Sequence, residues 1–179
     1  MTNKMIGSIK TMQLIVDVHY KDNDYAVAAG IAFTDWTSDR IEEKYTIKVD
    51  NIAPYKPGSF FERELPCIMA LINRIGTKPN VIIIDGYVTL GSEEKDGLGA
   101  HLYNALESKI PVIGIAKNRF ADTPKKYEVY RGKSKQPLFV TSKGINYNIA
   151  KEMIENMHGE NRLPTLLKAV DRECRDAIT

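Results

Sequence analysis

Three acidic residues stand where acids are locally out of place. Asp17 interrupts the apolar run "LIVDV", Asp85 ends "VIIID", and Glu64 sits at the mouth of an amphipathic stretch in "FFERELP". Aspartate is a poor strand former, and a buried carboxylate is costly unless it is paired or bound to a cation. Carboxylates that share a site repel and retain protons unless a cation intervenes. Hard oxygens, with no Cys or multiple-His cluster beside them, suit Mg²⁺ or Mn²⁺ better than Zn²⁺. Such an ion binds a phosphate oxygen, lowers the pKa of its water and offsets charge in a transition state. Taken singly, each acid has a plainer explanation: a strand end, a helix dipole, a turn. Their joint occurrence at strand and helix ends marks a site, but the spacing alone names no reaction.

The elements that must position these acids are readable from periodicity. Residues 13 to 19 and 25 to 33 predict two strands joined by the turn "KDND", and the alternating stretch 40 to 49 predicts a third. After a loop stiffened by Pro54 and Pro57, a helix is expected to start near Glu64. Leu65, Ile68, Met69, Ile72 and Ile75 form its apolar stripe, and Pro66 falls in its first turn. Residues 80 to 85, apolar throughout 81 to 84, and residues 111 to 116 have the pattern of parallel strands covered on both faces. Helices are expected over 97 to 108, 146 to 158 and 164 to 177, and a weak β-pair over 127 to 131 and 137 to 141. The expected fold class is α/β. It is a ribonuclease H-like mixed sheet, three antiparallel strands followed by parallel strands, flanked by helices. In an open α/β sheet the carboxyl ends of strands line the ligand crevice, which is where Asp85 falls.

The totals agree with one domain over residues 1–179. The chain is 43% hydrophobic and 27% charged, and its net charge of +2 offers no global field for a polyanion, so local groups must hold one. The first residues lack a signal peptide's apolar stretch, and no run approaches the roughly 20 apolar residues of a membrane span. Cys67 and Cys174, each inside an expected helix, suit a reduced cytoplasmic interior. The chain is expected to be a cytoplasmic monomer with no membrane partner.

Several segments together resemble the endonuclease V family, nucleases that nick nucleic acid beside deaminated bases, notably inosine. "VDVHY" with "AVAAGIAF", the run from Pro54 to Pro66, "IIDGY", "GLGAHL", "PVIGIAKNRF", "QPLFVTSKG" and "RLPTLLKAVD" carry the resemblance across roughly residues 12 to 175. The resemblance implies that Asp17, Glu64 and Asp85 hold Mg²⁺, with Mn²⁺ as the alternative. Asp171, nine residues after Arg162, falls where the family places a fourth His or Asp, and Lys117 matches a lysine near the active site. Tyr55 matches a strand-separating wedge, flanked by Pro54 and Pro57. Gly58, Phe60 and Gly86 match positions whose backbone lines the base pocket. The implied activity is hydrolysis of the second phosphodiester bond 3′ to a deaminated base in DNA or RNA. A flipped base needs a tight pocket, a rigid aromatic fills the vacated stack, and glycines allow close backbone approach.

The chain departs from the family pattern at Tyr87 and Val88, where the family has a histidine and a second glycine, and at Thr165, where it has a glutamate. The segment after Lys117 is short, and the family's N-terminal helix is not matched. These departures keep two alternatives open: a binding module without turnover, and a ribonuclease H-like nuclease of other substrate choice. His19, on Asp17's strand face, has a metal role as its minor reading and reads first as a surface histidine or one that orients a ligand. His101 reads as structural, and His158 as a residue at a helix C-terminus. The stretch "KKYEVYRGKSK" reads equally as a phosphate track or an exposed β-ribbon.

Overall fold

The computed structural model describes residues 11–178. The reading of the N-terminus falls largely on residues 1–10, outside the described residues. In chain order the elements are β1 (Gln13–Lys21), β2 (Tyr25–Phe33), β3 (Glu43–Asp50), α1 (Phe60–Arg74), β4 (Val81–Asp85), β5 (Thr89–Leu90), β6 (Lys95–Asp96) and α2 (Leu98–Ala105). There follow β7 (Val112–Ala116), a short 3₁₀ turn at Lys125–Tyr127, β8 (Glu128–Val129), β9 (Leu138–Lys143), α3 (Tyr147–Glu155) and α4 (Thr165–Asp176). Among the described residues, seven strands form one sheet in the order β3-β2-β1-β4-β7-β9-β8.

The first three strands are an antiparallel meander. β4 then joins β1 in parallel, and β7 joins β4 in parallel, so both crossovers carry a helix. β9 returns antiparallel to β7 and pairs with β8. This is the expected mixed sheet. Strand alternation splits the core into two layers. Leu14, Val16, Ile82 and Ile84 face α1 and α2, with Cys67, Ile68 and Leu71. Ile15, Ile83 and Ile113 face α3 and α4, with Leu166, Val170 and Cys174. The all-apolar β4 is therefore buried on both sides, as its composition requires. Both cysteines are free and buried. Among the described residues no helix is long and apolar enough to cross a membrane.

The start of α1 corrects the sequence reading. The helix begins at Phe60, four residues before Glu64. Gly58, at φ +80°, turns the chain into it, and the Ser59 amide donates to Lys56 O at 3.1 Å. Pro66 is thus not in the first turn but inside the helix. Its missing N–H leaves the Glu62 carbonyl without the usual partner, on the exposed side of the helix where water can serve. Glu64 likewise lies beyond the first turn, where the helix dipole no longer explains an acid.

Candidate active site

The parallel register of β1 and β4 brings two of the acids together. Val16 and Ile84 are the last paired residues of the ladder, so Asp17 and Asp85 follow side by side at the carboxyl end of β4. Asp171 arrives from α4, which packs on β1 and β2. Glu64 arrives from α1, on the opposite layer. Asp17 is 6% exposed and Glu64 4% exposed.

Each carboxylate has a different degree of compensation. Asp17 Oδ1 accepts from the Val18 amide at 2.8 Å, and Oδ2 lies 3.2 Å from His19 Nε2. The same Nε2 lies 3.0 Å from Asp171 Oδ1. Asp171 is also paired with Arg175, Nε to Oδ2 at 3.1 Å. Lys117 Nζ donates to Asp85 Oδ2. Glu64 has no hydrogen-bond or ion-pair partner among the described residues. Burial first, then the charges of Asp17 and Asp85, push its carboxyl well above the usual carboxylate range. Burial also raises the Asp85 carboxyl, against the opposing hydrogen bond from Lys117. The hydrogen bond to Asp17 leads the causes that raise His19, against its burial. For Lys117, burial lowers the pKa most, but the Asp85 hydrogen bond and the surrounding acids carry it upward on balance.

This donor set fits a divalent cation. One ligand atom each from Asp17, His19 and Asp171 lie within 4.8 Å of one another. Two of the expected ligands fall outside that group: Asp85, engaged by Lys117, and Glu64, a buried acid that feels the charges of Asp17 and Asp85 and has no partner among the described residues. A cation would supply what Glu64 lacks.

A cavity of about 410 Å³ opens beside the acids, with Asp85 on its rim. Gly58, Phe60 and Gly86, three of the expected pocket positions, border it together with Phe61, Tyr87 and Phe120. Pro54, Tyr55 and Pro57 do not line it. They lie on the exposed loop leading to α1, with Tyr55 60% exposed. The path of the chain through Gly86, which borders the cavity, depends on Gly114 of β7. A Cβ there would lie 2.4 Å from Gly86 O and 2.9 Å from the Val88 nitrogen, so only glycine lets the chain after β4 cross so closely.

The departures from the family pattern have local explanations. Tyr87 OH donates to Asn118 O at 2.8 Å and accepts from the Phe120 amide at 3.0 Å, tying the loop after Lys117 to the end of β4. Val88 is fully buried, and a Cβ on Gly99 would meet its Cγ2 at 2.5 Å, so the larger residue is matched by a glycine on α2. Thr165 opens α4 and its hydroxyl lies 2.9 Å from His158 Nδ1. His158 is therefore not a helix-dipole residue: α3 ends at Glu155, and the histidine links the following loop to α4. In "KKYEVYRGKSK", Arg131 turns inward and donates to the carbonyls of Met157, Gly159, Asn161 and Arg162. That residue is a structural clamp and no phosphate contact. His101 stacks on Phe61 with ring centroids 3.7 Å apart, a packing role.

Sequence reasoning placed His19 at the edge of the site and did not single out Phe120. The strand period showed that His19 shares a face with Asp17. Its contact with Asp171 spans 152 residues and leaves no local signal. In the sequence Arg162 only marks the position of Asp171; in the fold its guanidinium donates to Lys117 O and Pro137 O and so fixes the backbone that carries the lysine.

Comparison with known proteins gives the family and the fold. The sequence model of the endonuclease V family matches residues 6–153. An endonuclease V of Streptomyces coelicolor is 31% identical over 130 residues, 73% of this chain and 54% of that protein. The chain spans about half the length of the curated relatives it matches. The crystal structure of the Streptomyces avermitilis endonuclease V superposes with a TM-score of 0.76 at 25% identity, covering 94% of this chain and 82% of the other. The Ciona intestinalis endonuclease V, solved in complex with a 24mer DNA containing an inosine followed by a ribo-adenosine, gives 0.75 at 19% identity over 94% and 85% of the two chains.

Proposed function

The chain belongs to the endonuclease V family, and we propose that it is a metal-dependent endonuclease acting beside deaminated bases, inosine above all, in DNA or RNA. It hydrolyses the second phosphodiester bond 3′ to the lesion and leaves a 3′-hydroxyl and a 5′-phosphate. It works as one domain, as a monomer, in the cytoplasm. The observation that carries this reading is a set of acids converging beside a cavity: Asp17 and Asp171 meet at His19, Asp85 stands next to Asp17 on the neighbouring strand, and buried Glu64, without a partner among the described residues, faces Asp17 and Asp85.

Asp17, Glu64 and Asp85, with Asp171 beside them, would hold Mg²⁺, or Mn²⁺ in its place. When bound, the ion supplies Lewis acidity toward a phosphate oxygen and a water of lowered pKa. The protein's own groups do the rest. Lys117, held in place by Asp85 and by Arg162 on its backbone, presents an ammonium that offsets charge developing on the phosphate. Gly58, Phe60 and Gly86 border the space for a flipped base, whose edge is read by backbone groups. Hypoxanthine carries a carbonyl where adenine carries an amine, so a fixed backbone donor favours it. Tyr55, stiffened by Pro54 and Pro57, fills the vacated stack.

A 5′-labelled oligonucleotide with one inosine, in DNA and RNA forms, tests this directly. The native chain with Mg²⁺ or Mn²⁺ is expected to cut once, at the second bond 3′ to inosine, and Asp85→Ala is expected not to cut. Failure of the native chain to cut with either ion, or undiminished cutting by Asp85→Ala, would overturn the proposal.

A further inference from the structure

We propose that His19 is itself a ligand of the divalent ion at this site, and that its nitrogen turns the site's preference from Mg²⁺ toward Mn²⁺. The inference rests on the metal-centre reading above and adds a residue to it. Two observations carry it. The first is geometric. His19 Nε2 lies 3.2 Å from Asp17 Oδ2 and 3.0 Å from Asp171 Oδ1. Neighbouring donors around an ion with bonds of about 2.1 Å are themselves about 3 Å apart, so Nε2 stands at coordination-shell spacing from both oxygens, and all three atoms lie within 4.8 Å of one another.

A simple ion pair describes the contact less well. A protonated Nε2 carries one hydrogen, which cannot point along a straight line at two carboxylates at once. Asp171, moreover, already has a cation in Arg175. The second observation is Glu64, 4% exposed, without a partner among the described residues and facing Asp17. Neither His19 nor Lys117 bonds to it, and an ion at the site would give its carboxylate the partner it lacks there.

Chemistry then sets the preference. Mg²⁺ keeps to hard oxygen donors and near-ideal octahedral geometry, whereas Mn²⁺, the first ion of the transition series whose affinity for nitrogen rises toward copper, shares the oxygen ligands and accepts one imidazole among them more readily than Mg²⁺ does. β1 alternation puts position 19 on the same face as Asp17, so any residue there reaches the site.

Electron spin-echo spectroscopy of Mn²⁺ bound to the native chain reads a directly bonded nitrogen by its ¹⁴N coupling. Titration with Mn²⁺ and with Mg²⁺ gives the affinity ratio. The native chain is expected to show the coupling. His19→Ser is expected to lose it and to bind Mn²⁺ about tenfold more weakly, with Mg²⁺ affinity changed by less than about threefold. Circular dichroism establishes that the variant is folded; if it is not, the coupling in the native chain decides alone. Bound Mn²⁺ without nitrogen coupling, lost in Asp17→Asn, would sink the role of His19 and leave the metal centre standing. Absence of any Mn²⁺ or Mg²⁺ binding by the native chain would sink both.

Discussion

Glu64→Gln should stabilise this protein without metal and weaken it with metal. Glu64 is 4% exposed, has no partner among the described residues, and faces two like charges. Its folded pKa is raised above the unfolded value of about 4.3. From there upward the unfolded chain releases the proton while the native chain holds it. The penalty grows with pH until the folded value is passed and stands in full above it. An unsatisfied buried polar group costs about 1–3 kcal/mol, and more when charged. Gln keeps the shape, removes the charge, and lets an amide donate to Asp17 or Asp85. A gain of about 2 kcal/mol corresponds to about 4–8 °C in Tm for a chain of this size. Free ion at about a hundred times its Kd should stabilise the native protein by about 2.7 kcal/mol, roughly 5–11 °C. The variant, lacking one ligand charge, should recover only a small part of that. Calorimetric scans with EDTA and with saturating Mn²⁺, at pH 7.5 and pH 5, therefore predict a crossing. The variant melts higher without ion and the native chain higher with it, and the EDTA difference shrinks at pH 5. A metal-free variant that melts below the native protein at pH 7.5, or an ion-induced rise equal in both proteins, would refute the reasoning.

Other substitutions separate packing from recognition. Gly114→Ala puts a methyl 2.4 Å from Gly86 O, so urea unfolding should show a loss of about 1–3 kcal/mol, with weakened binding of an inosine oligonucleotide as Gly86 at the cavity's border is displaced. Tyr87→Phe removes the hydroxyl that accepts from the Phe120 amide; hydrogen exchange at that amide should speed up, with about 1 kcal/mol lost globally at most. Tyr55→Ala, at a position 60% exposed, should leave stability within about 0.5 kcal/mol while weakening binding of the inosine oligonucleotide by about 1–3 kcal/mol in a fluorescence titration. Arg131→Met strips four carbonyls of their donor and should cost at least about 2 kcal/mol by urea unfolding.

What was legible in the sequence was what repeats over short distances. The apolar run 81 to 84 announced a strand buried on both faces, and the acid at its end announced a working edge; both follow from a two-residue period and the cost of burying charge. The helix stripe from Leu65 to Ile75 was equally plain, but its start was not. Pro66 invites a helix to begin just before it, whereas Gly58 and Ser59 open the turn and the helix tolerates the proline on its exposed side. That shift of one turn changes the meaning of Glu64 from a dipole-stabilised acid to an uncompensated one. Long-range partners were illegible for a different reason. His19 and Asp171, or Arg162 and the backbone of Lys117, meet only because α4 and the preceding loop fold back across the strands.

The same distinction bears on the substitutions at Tyr87 and Val88. Read against the family pattern in one dimension, they look like losses at the base pocket. In the folded chain each is matched by another feature. Val88 occupies space that Gly99 leaves open, and its amide donates to Thr141 Oγ1 at 2.8 Å. Tyr87 spends its hydroxyl on the loop after Lys117 and keeps its ring at the cavity wall, 6.2 Å from the ring of Phe120. Tyr87 and Phe120 together give the cavity an aromatic wall. Phe120 is 43% exposed and held by its own backbone to Tyr87, so it stands ready to stack on a base without a large ordering cost. Phe120→Ala should then weaken binding of an inosine oligonucleotide while leaving the Glu64-dependent response to metal untouched. If it changed the metal response instead, cavity and acid cluster would be one coupled unit and the separation drawn between them would be wrong.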